Sequence, residues 1–181
     1  MRPADVQDQI LNGDETGVDC GGPDCTTTCA VGVACNIGSD CETGLCEDGL
    51  CAKFTAISVG ESSACAITAK GAVKCGVGTF YQASDVMGLP GPATSISVGT
   101  DFACAVANGA VLCWGNDQSG MLGDGQMNAG GSTPVVVAGL SAGAAAGFSS
   151  ACAVSSAGGA KCWGDNEQGE LGSGSTMMSI A

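Results

Sequence analysis

Two short apolar runs on either side of Asn108 and Gly109 form the clearest hydrophobic pattern in the chain, Cys-Ala-Val-Ala before the pair and Ala-Val-Leu-Cys after it. Asn-Gly between apolar runs predicts a two-residue hairpin turn of type I′, because both turn residues must adopt a positive φ. That turn fixes the strand register and sets Cys104 opposite Cys113. The two then form a non-hydrogen-bonded pair with Cα atoms about 4.5 Å apart, which a disulfide can span.

The same pattern occurs twice more, with turns that are one residue longer. In both copies a glycine, Gly71 or Gly158, stands third in the loop, which predicts a type I turn followed by a G1 bulge. The register again sets two cysteines opposite each other, so we expect a disulfide in each of the three hairpins. The alternative is that these cysteines are buried thiols that act as small apolar side chains. The further pairs are Cys65 with Cys75 and Cys152 with Cys162.

The hairpins belong to a longer repeat. Trp114 and Trp163 are 49 residues apart, and so are Leu122 and Leu171, whereas the first copy has no Trp after Cys75. Short strands and Gly-rich turns at such a period are typical of propeller blades. We expect the leucines to anchor the long loops and the tryptophans to pack on the small residues opposite them. Stacking of the tryptophans on a carbohydrate is the alternative.

Residues 54–181 follow the order V-G-x-x-x-A-C-A-V, hairpin, C-W-G-x-N/D-x-x-G-x-L-G-x-G. This order resembles the bacterial, cysteine-containing form of the regulator-of-chromosome-condensation repeat. The resemblance implies an all-β fold of radially arranged blades with four antiparallel strands each. The 128 positions hold about 2.6 repeats of 49 residues, and propellers close with about four to eight blades. We therefore expect an incomplete propeller, part of a longer protein, that self-associates through open blade edges or is completed by other chains.

Residues 1–53 form a separate acidic module with ten acidic residues, two basic residues and no aromatic side chain. Such a segment cannot bury enough apolar area to fold without covalent links. Its seven cysteines allow three disulfides and one odd residue. The sequence leaves the connectivity open, because any of the seven can be the odd one and six cysteines pair in 15 ways. The seven are Cys20, Cys25, Cys29, Cys35, Cys41, Cys46 and Cys51.

The run N-G-D-E-T-G-V-D-C-G-G, followed by D-C-E-T-G-L-C and G-L-C, resembles a module of surface proteins of environmental bacteria. Within it Asp14, Glu15 and Asp19 surround a Gly-rich turn. Their carboxylates are candidate calcium ligands, because calcium prefers oxygen donors. The alternative is that these are turn-forming residues whose side chains satisfy their own backbone.

Composition excludes several classes of function. Thirteen Cys without any His argue against zinc sites of the Cys/His kind and against His-dependent catalysis. A net charge of −13 disfavours nucleic acid and anionic membrane surfaces. We expect no membrane insertion, because no apolar stretch has transmembrane length. Oxidised cysteines predict an extracellular or cell-surface location. The first residues contain no export signal, so we expect a leader that lies upstream or has been removed.

No catalytic constellation is present, so we expect a protein that is not an enzyme and has no cofactor other than calcium. Our first hypothesis is an extracellular or cell-surface binding or adhesion protein that contacts a protein or a surface polysaccharide through its blade loops. One alternative is a secreted protein inhibitor of an enzyme, and another is the non-catalytic portion of a secreted hydrolase. Acidic loop residues are candidates to meet a ligand, with solvated turn residues as the alternative. They are Asp117, Asp124, Asp165, Glu167 and Glu170.

Overall fold

The structure is a computed structural model in which contacts divide the chain into two compact units, Met1–Phe54 and Thr55–Ala181. Where the structure describes the chain, its secondary structure is all-β apart from one short 3-10 helix, as the repeat pattern predicts. Among the described residues no helix is long and apolar enough to cross a membrane. The structure describes residues 9, 11, 14–23, 25–76, 83–155 and 157–179.

The first unit is built around its disulfides. Cysteine side chains make up most of its core, with Val33 packed against them. In the described part of this unit, regular structure is limited to the 3-10 helix Gly38–Asp40 and an antiparallel pair, β1 (Cys46–Glu47) and β2 (Leu50–Cys51). The unit therefore depends on covalent links where larger domains use apolar packing. The disulfides are Cys20–Cys29, Cys35–Cys46 and Cys41–Cys51.

The remaining strands form three antiparallel sheets, which we call the first, second and third blades. Each strand pairs with the next one along the chain within its blade. The first blade contains β3 (Phe54–Val59), β4 (Ala64–Thr68), β5 (Val73–Gly76) and β6 (Ser84–Asp85). The second contains β7 (Ala93–Val98), β8 (Phe102–Ala107), β9 (Ala110–Asp117) and β10 (Asn128–Val136). The third contains β11 (Leu140–Ala146), β12 (Ser150–Ser155) and β13 (Ala160–Gly164).

The hairpin turns set the register of the central strands. Asn108 and Gly109 adopt φ values of 48° and 73°, and Gly71 and Gly158 adopt 82° and 84°. These are the left-handed conformations that the two turn types require. The disulfide-linked hairpins are therefore confirmed. They are Cys65–Cys75, Cys104–Cys113 and Cys152–Cys162, with Cα–Cα distances of 4.1, 4.1 and 4.0 Å.

The apolar cores lie between consecutive blades. Successive residues of β8 point to opposite sides of the second blade, as in any strand. One side joins a cluster with the third blade, and the other joins a cluster with the first. The side towards the third blade carries Phe102, Cys104 and Val106, and the side towards the first carries Ala103, Ala105 and Ala107.

The inner strands approach each other closely through glycines. A Cβ on Gly60 would overlap the carbonyl oxygen of Gly99, and a Cβ on Gly99 would overlap that of Gly147. A serine hydroxyl adds a second link, since Ser58 Oγ accepts a hydrogen bond from the N–H of Val98 at 3.0 Å. These contacts repeat at the same position of each blade and hold the blades side by side.

The three blades do not close into a ring, so the incomplete propeller is confirmed. The third blade has three strands, and the chain returns to the end of β13 only at Ser179, which forms a bridge with Gly164. In the second blade the corresponding segment continues as β10 and pairs along β9. Within the described residues, residues 160–163 of β13 therefore have no such partner strand on this edge.

Candidate binding face of the blades

One end of the blades carries two kinds of connection. In an antiparallel blade the turn between the first two strands and the connection after the third strand lie at the same end. These are the turns 60–63, 99–101 and 147–149 and the long connections 118–127 and 165–178. We call them together the loop face.

Hydrogen bonds join the three turns of the loop face to one another. Ser62 Oγ donates to the carbonyl oxygen of Thr100 at 2.7 Å and contacts Asp101 Oδ1 at 3.2 Å. The N–H of Thr100 donates to the carbonyl oxygen of Phe148 at 3.3 Å. The turns of successive blades therefore form one continuous surface.

The loop face collects the acidic residues of the second unit. Seven of the eight acidic residues after position 54 lie on its connections or at the strand end that leads into them. The connections themselves contain no basic residue, although Lys161 of β13 lines a small pocket together with Asp124. The eighth, Asp85, is paired with Lys74 at 2.6 Å. This end of the blades therefore carries an excess of negative charge. The seven are Glu61, Asp101, Asp117, Asp124, Asp165, Glu167 and Glu170.

Large apolar side chains on the loop face are exposed beside these acids. Phe148 is 73% exposed and Met177 is 79% exposed, with Met127 and Met178 also exposed. An aromatic ring and methionines next to charged residues are typical of protein-binding surfaces. The arrangement suits a partner surface that is basic and partly apolar.

The side chain of Asp117 stabilises the loop face from inside the protein and is not available on its surface. Its side chain is fully buried, and its Oδ1 accepts a hydrogen bond from the N–H of Leu122 at 3.0 Å. Asn166 does the same in the third blade, where its Oδ1 accepts from the N–H of Leu171 at 2.9 Å. Both side chains fix the long connection that follows them. In the sequence each of them stands five residues before a leucine, and this shared spacing indicates their common structural role.

The tryptophans are buried between blades. Trp163 is fully buried, and its Nε1–H donates to the carbonyl oxygen of Met121 at 2.8 Å, on the long connection of the preceding blade. Trp114 is 7% exposed and belongs to the cluster between the first and second blades. Neither indole offers a face to a carbohydrate.

The candidate calcium ligands lie in the first unit. The carboxylate of Asp19 accepts the N–H of Gln9 at 2.9 and 3.1 Å. The Sγ of Cys25 donates a hydrogen bond to the Oε1 of Glu15 at 3.8 Å. Asp14 is exposed. Cys25 is the cysteine outside the six disulfides.

The structure does not gather these three carboxylates. Among the described residues, the sulfurs of Cys35, Cys41 and Cys51 are the group of possible metal ligands close enough to share one ion. Those sulfurs are already joined in two disulfides, Cys35–Cys46 and Cys41–Cys51. Calcium binding by Asp14, Glu15 and Asp19 stays a prediction.

Asp40 is a structural carboxylate that the sequence pattern did not single out. It is 4% exposed, and its Oδ2 accepts the N–H groups of Asn36 at 2.7 Å and Ile37 at 3.1 Å. Its Oδ1 accepts the N–H of Gly22 at 3.2 Å. Burial alone raises the pKa of Asp40, but these N–H donors outweigh it, so the pKa lies below 3.8.

Solved structures share the fold of the blades. No protein-family model and no curated protein matches the sequence. Human WBSCR16 matches with a TM-score of 0.63 and 20% identity over 75% of this chain and 40% of its own. Yeast RCC1 (Prp20) bound to Kap60 matches with a TM-score of 0.59 and 18% identity over 71% of this chain and 34% of its own. Prp20p from Saccharomyces cerevisiae gives a TM-score of 0.58 and 17% identity, with coverage of 71% and 36%.

The chain thus spans less than half the length of each of these structures. At such low identity the likeness concerns the fold and carries no activity over. The repeats from residue 54 onward have the fold of RCC1-type β-propeller blades.

Proposed function

We propose that the chain is a non-catalytic binding or adhesion protein of the extracellular space or cell surface, and that its loop face contacts a protein partner. The observation that carries this proposal is the joint presence of one-sided acidic charge and exposed apolar side chains on the loop face. Phe148 is 73% exposed on the loop face, and six acidic residues of the same face are not buried. Exposed apolar side chains beside charged residues are typical of binding surfaces.

Two further observations support the proposal. The six disulfides are typical of proteins that mature in oxidising compartments. Structures with the same fold include one in which yeast RCC1 is bound by Kap60, and Prp20p is described with its binding to Gsp1p and histones. A protein partner is therefore favoured over a polysaccharide, which would need exposed aromatic platforms that the buried tryptophans do not provide.

The chemistry of the carboxyl groups supports a non-catalytic role. The two carboxyl groups that are buried in the described part of the chain, those of Asp40 and Asp117, accept hydrogen bonds from backbone N–H groups and so stabilise loops. The chain has no histidine to activate a serine or a cysteine.

A pull-down with a matched control tests the loop face. The full chain is immobilised and incubated with extracellular proteins from its native surroundings, beside the double variant Phe148→Ser with Glu167→Gln. The control is Met87→Ser, which removes a side chain that is 76% exposed on the connection between β6 and β7, at the opposite end of the blades.

We expect the retained proteins to bind the wild type and Met87→Ser equally and to be reduced at least tenfold on the double variant. Equal retention by all three proteins would contradict binding through the loop face. Loss on Met87→Ser alone would move the binding surface to the opposite end.

A further inference from the structure

A small pocket lies at the contact between the second and third blades. It has a volume of about 150 Å³, and we call it the interblade pocket. The second blade supplies residues of its long connection and of the segment that ends β10, and the third blade supplies one residue of β13. The lining residues are Gly123, Asp124, Gly125, Val136, Ala138 and Lys161.

Two opposite charges line the interblade pocket. The carboxylate belongs to Asp124, which is half-buried, and the ammonium group belongs to Lys161, which is exposed. Within the described residues no ion pair joins these two groups, whereas Lys74 of the first blade pairs with Asp85 at 2.6 Å. A ligand that carries both signs of charge can therefore bind between them without breaking an ion pair of the chain.

Lys161 differs from the residue at the same position of the preceding blade. That residue is Leu112, which also stands directly before the second cysteine of its hairpin. Leu112 is 2% exposed and packs in the cluster with the first blade. Lys161 points towards the second blade, as Trp163 does, because the two are separated by one residue on the same strand. An ammonium group thus replaces an apolar side chain at this contact.

The carboxylate of Asp124 is held by its own connection. Its Oδ1 accepts the N–H of Gln126 at 2.9 Å, which leaves Oδ2 as an acceptor for a ligand. The third blade has Ser173 at the position of Asp124. Both charges of the interblade pocket therefore occur where the other copy of the repeat has an uncharged residue.

The rest of the pocket is small and apolar. Val136 is 57% exposed and lines the pocket together with Ala138, and the two glycines contribute no side chain. A cavity of about 150 Å³ is large enough for benzene, a ligand of about six heavy atoms. Alanine is a molecule of this size. It carries its ammonium and carboxylate groups on the same carbon atom, so a single small molecule can reach both Asp124 and Lys161.

We propose that the interblade pocket binds a free α-amino acid with a small apolar side chain. The ammonium group of the ligand donates to the carboxylate of Asp124, Lys161 donates to the carboxylate of the ligand, and the ligand side chain contacts Val136 and Ala138. Both hydrogen bonds are charge-assisted, which makes them roughly twice as strong as neutral ones. Asp124 also belongs to the loop face, but the other three residues do not, so their variants test the pocket separately from the loop face.

The probe is L-alanine, and its binding to the full chain is followed at pH 7 by the amide resonances of Gly123 and Gly125. The amide of Gly60, on the first blade, is the remote reference. Two analogues each lack one charge: L-alaninamide lacks the carboxylate, and N-acetyl-L-alanine lacks the ammonium group. An analogue that binds as tightly as L-alanine would show that only one charge is recognised and would contradict the proposal.

The variants remove each charge of the pocket or fill its space. Lys161→Met removes the ammonium group, and its matched control is Lys70→Met, at an exposed position in the hairpin turn of the first blade. Asp124→Asn removes the carboxylate charge and keeps an oxygen that can accept the N–H of Gln126. Ala138→Leu fills the pocket, and its control is Ala69→Leu, which is exposed in the same first-blade turn.

We expect saturable shifts of Gly123 and Gly125 with L-alanine, and binding at least tenfold weaker for either analogue and for Ala138→Leu. In Lys161→Met, L-alanine should bind no better than L-alaninamide, and in Asp124→Asn it should bind no better than N-acetyl-L-alanine. The two control variants should bind L-alanine as the wild type does.

Absence of saturable shifts would overturn the proposal, and so would equal binding by Lys161→Met and Lys70→Met. The double variant Phe148→Ser with Glu167→Gln should bind L-alanine unchanged, because neither residue lines the pocket. Failure of the pocket and failure of the loop face are therefore distinguishable.

Discussion

Asp117 and Asn166 occupy the same position in successive blades and differ in how their second side-chain atom is satisfied. Each accepts the N–H of the leucine five residues later. The Nδ2 of Asn166 also donates to the carbonyl oxygens of Ser175 and Met177, both at 2.8 Å. The Oδ2 of Asp117 is buried and makes no hydrogen bond of good geometry among the described residues, although the N–H of Asn128 lies close enough to lower the pKa of this carboxyl. The amide is therefore better matched to this site than the carboxylate.

The first prediction is that Asp117→Asn stabilises the second unit at neutral pH. Burial raises the pKa of Asp117 above 3.8, and the negative charge of nearby Asp124 also raises it. The N–H groups of Leu122 and Asn128 lower the pKa, but they do not offset these two effects. Because the pKa in the folded state is raised, the stabilising effect of a protonated Asp117 is complete below pH 3.8 and is lost as the pH rises through the folded-state pKa. At pH 7 we expect Asn to increase the free energy of unfolding by about 1 kcal/mol.

Urea unfolding followed by tryptophan fluorescence measures this effect, since both tryptophans lie in the second unit. The matched control is Asn166→Asp, which places a carboxylate oxygen against two carbonyl oxygens and should lower the free energy of unfolding at pH 7 by about 1 to 3 kcal/mol. A less stable Asp117→Asn protein at pH 7 would show that the carboxylate is satisfied in solution.

Asp40 should behave in the opposite way. Its pKa is lowered, so its contribution to stability is present above pH 3.8 and is lost as the pH falls through the folded-state pKa. We expect the amide resonances of Gly22, Asn36 and Ile37 to titrate together with a midpoint below pH 3.8. In Asp40→Asn this titration should vanish. The free energy of unfolding of the first unit should fall by about 1 to 3 kcal/mol, because an amide nitrogen replaces one carboxylate oxygen and leaves at least one backbone N–H without its acceptor. A midpoint above pH 4 would contradict the assignment.

The hairpins could be predicted from the sequence because their determinants are local. Asn108 and Gly109 impose their turn, and a side-chain period of two then carries the register outward to Cys104 and Cys113 without any knowledge of the rest of the fold. The same argument fails for the seven cysteines of the first unit. Their pairing depends on turns of irregular shape, such as the one in which Asp40 binds three separated N–H groups.

Contacts between blades could not be predicted because they join residues far apart in sequence. The hydrogen bond from Trp163 to Met121 spans 42 residues, and the approach of Gly60 to Gly99 depends on how two inner strands lie against each other. The repeat indicated that Trp163 was structural, but only the fold identifies what it contacts.

The three hairpin disulfides should differ in their accessibility to reductant. The cysteines of Cys104–Cys113 are fully buried beneath the third blade, whereas those of Cys152–Cys162 are half-buried on the side of the third blade that faces away from the second. Since thiol–disulfide exchange requires access to a sulfur, Cys152–Cys162 should be reduced first by limited reductant without denaturant. Alkylation and peptide mapping measure the order.

The same mapping without reductant, in denaturant, should label one residue per chain, Cys25, because the other twelve cysteines form the six disulfides. Reduction of Cys104–Cys113 before Cys152–Cys162 would contradict the packing of the third blade on the second.

Calcium binding by Asp14, Glu15 and Asp19 is testable on the full chain. If the three carboxylates bind the ion, calcium should raise the melting temperature of the first unit through linkage, and Asp14→Asn should abolish the rise. The control is Asp101→Asn, on the loop face of the second unit. The absence of any shift at millimolar calcium would reject the site and favour turn-forming residues.

The last prediction concerns the link between the second and third blades. Trp163 is fully buried and donates its Nε1–H to Met121. Trp163→Ala leaves a cavity in the cluster between the blades and should lower the free energy of unfolding by about 3 to 5 kcal/mol. Trp163→Phe keeps much of the apolar contact but leaves the carbonyl oxygen of Met121 without its donor, which costs about 1 to 3 kcal/mol. Trp114 fluorescence reports unfolding in both variants, and Phe148→Ser, a change at an exposed side chain, should shift stability by no more than about 0.5 kcal/mol. If both Trp163 variants are as stable as Phe148→Ser, the indole does not join the blades.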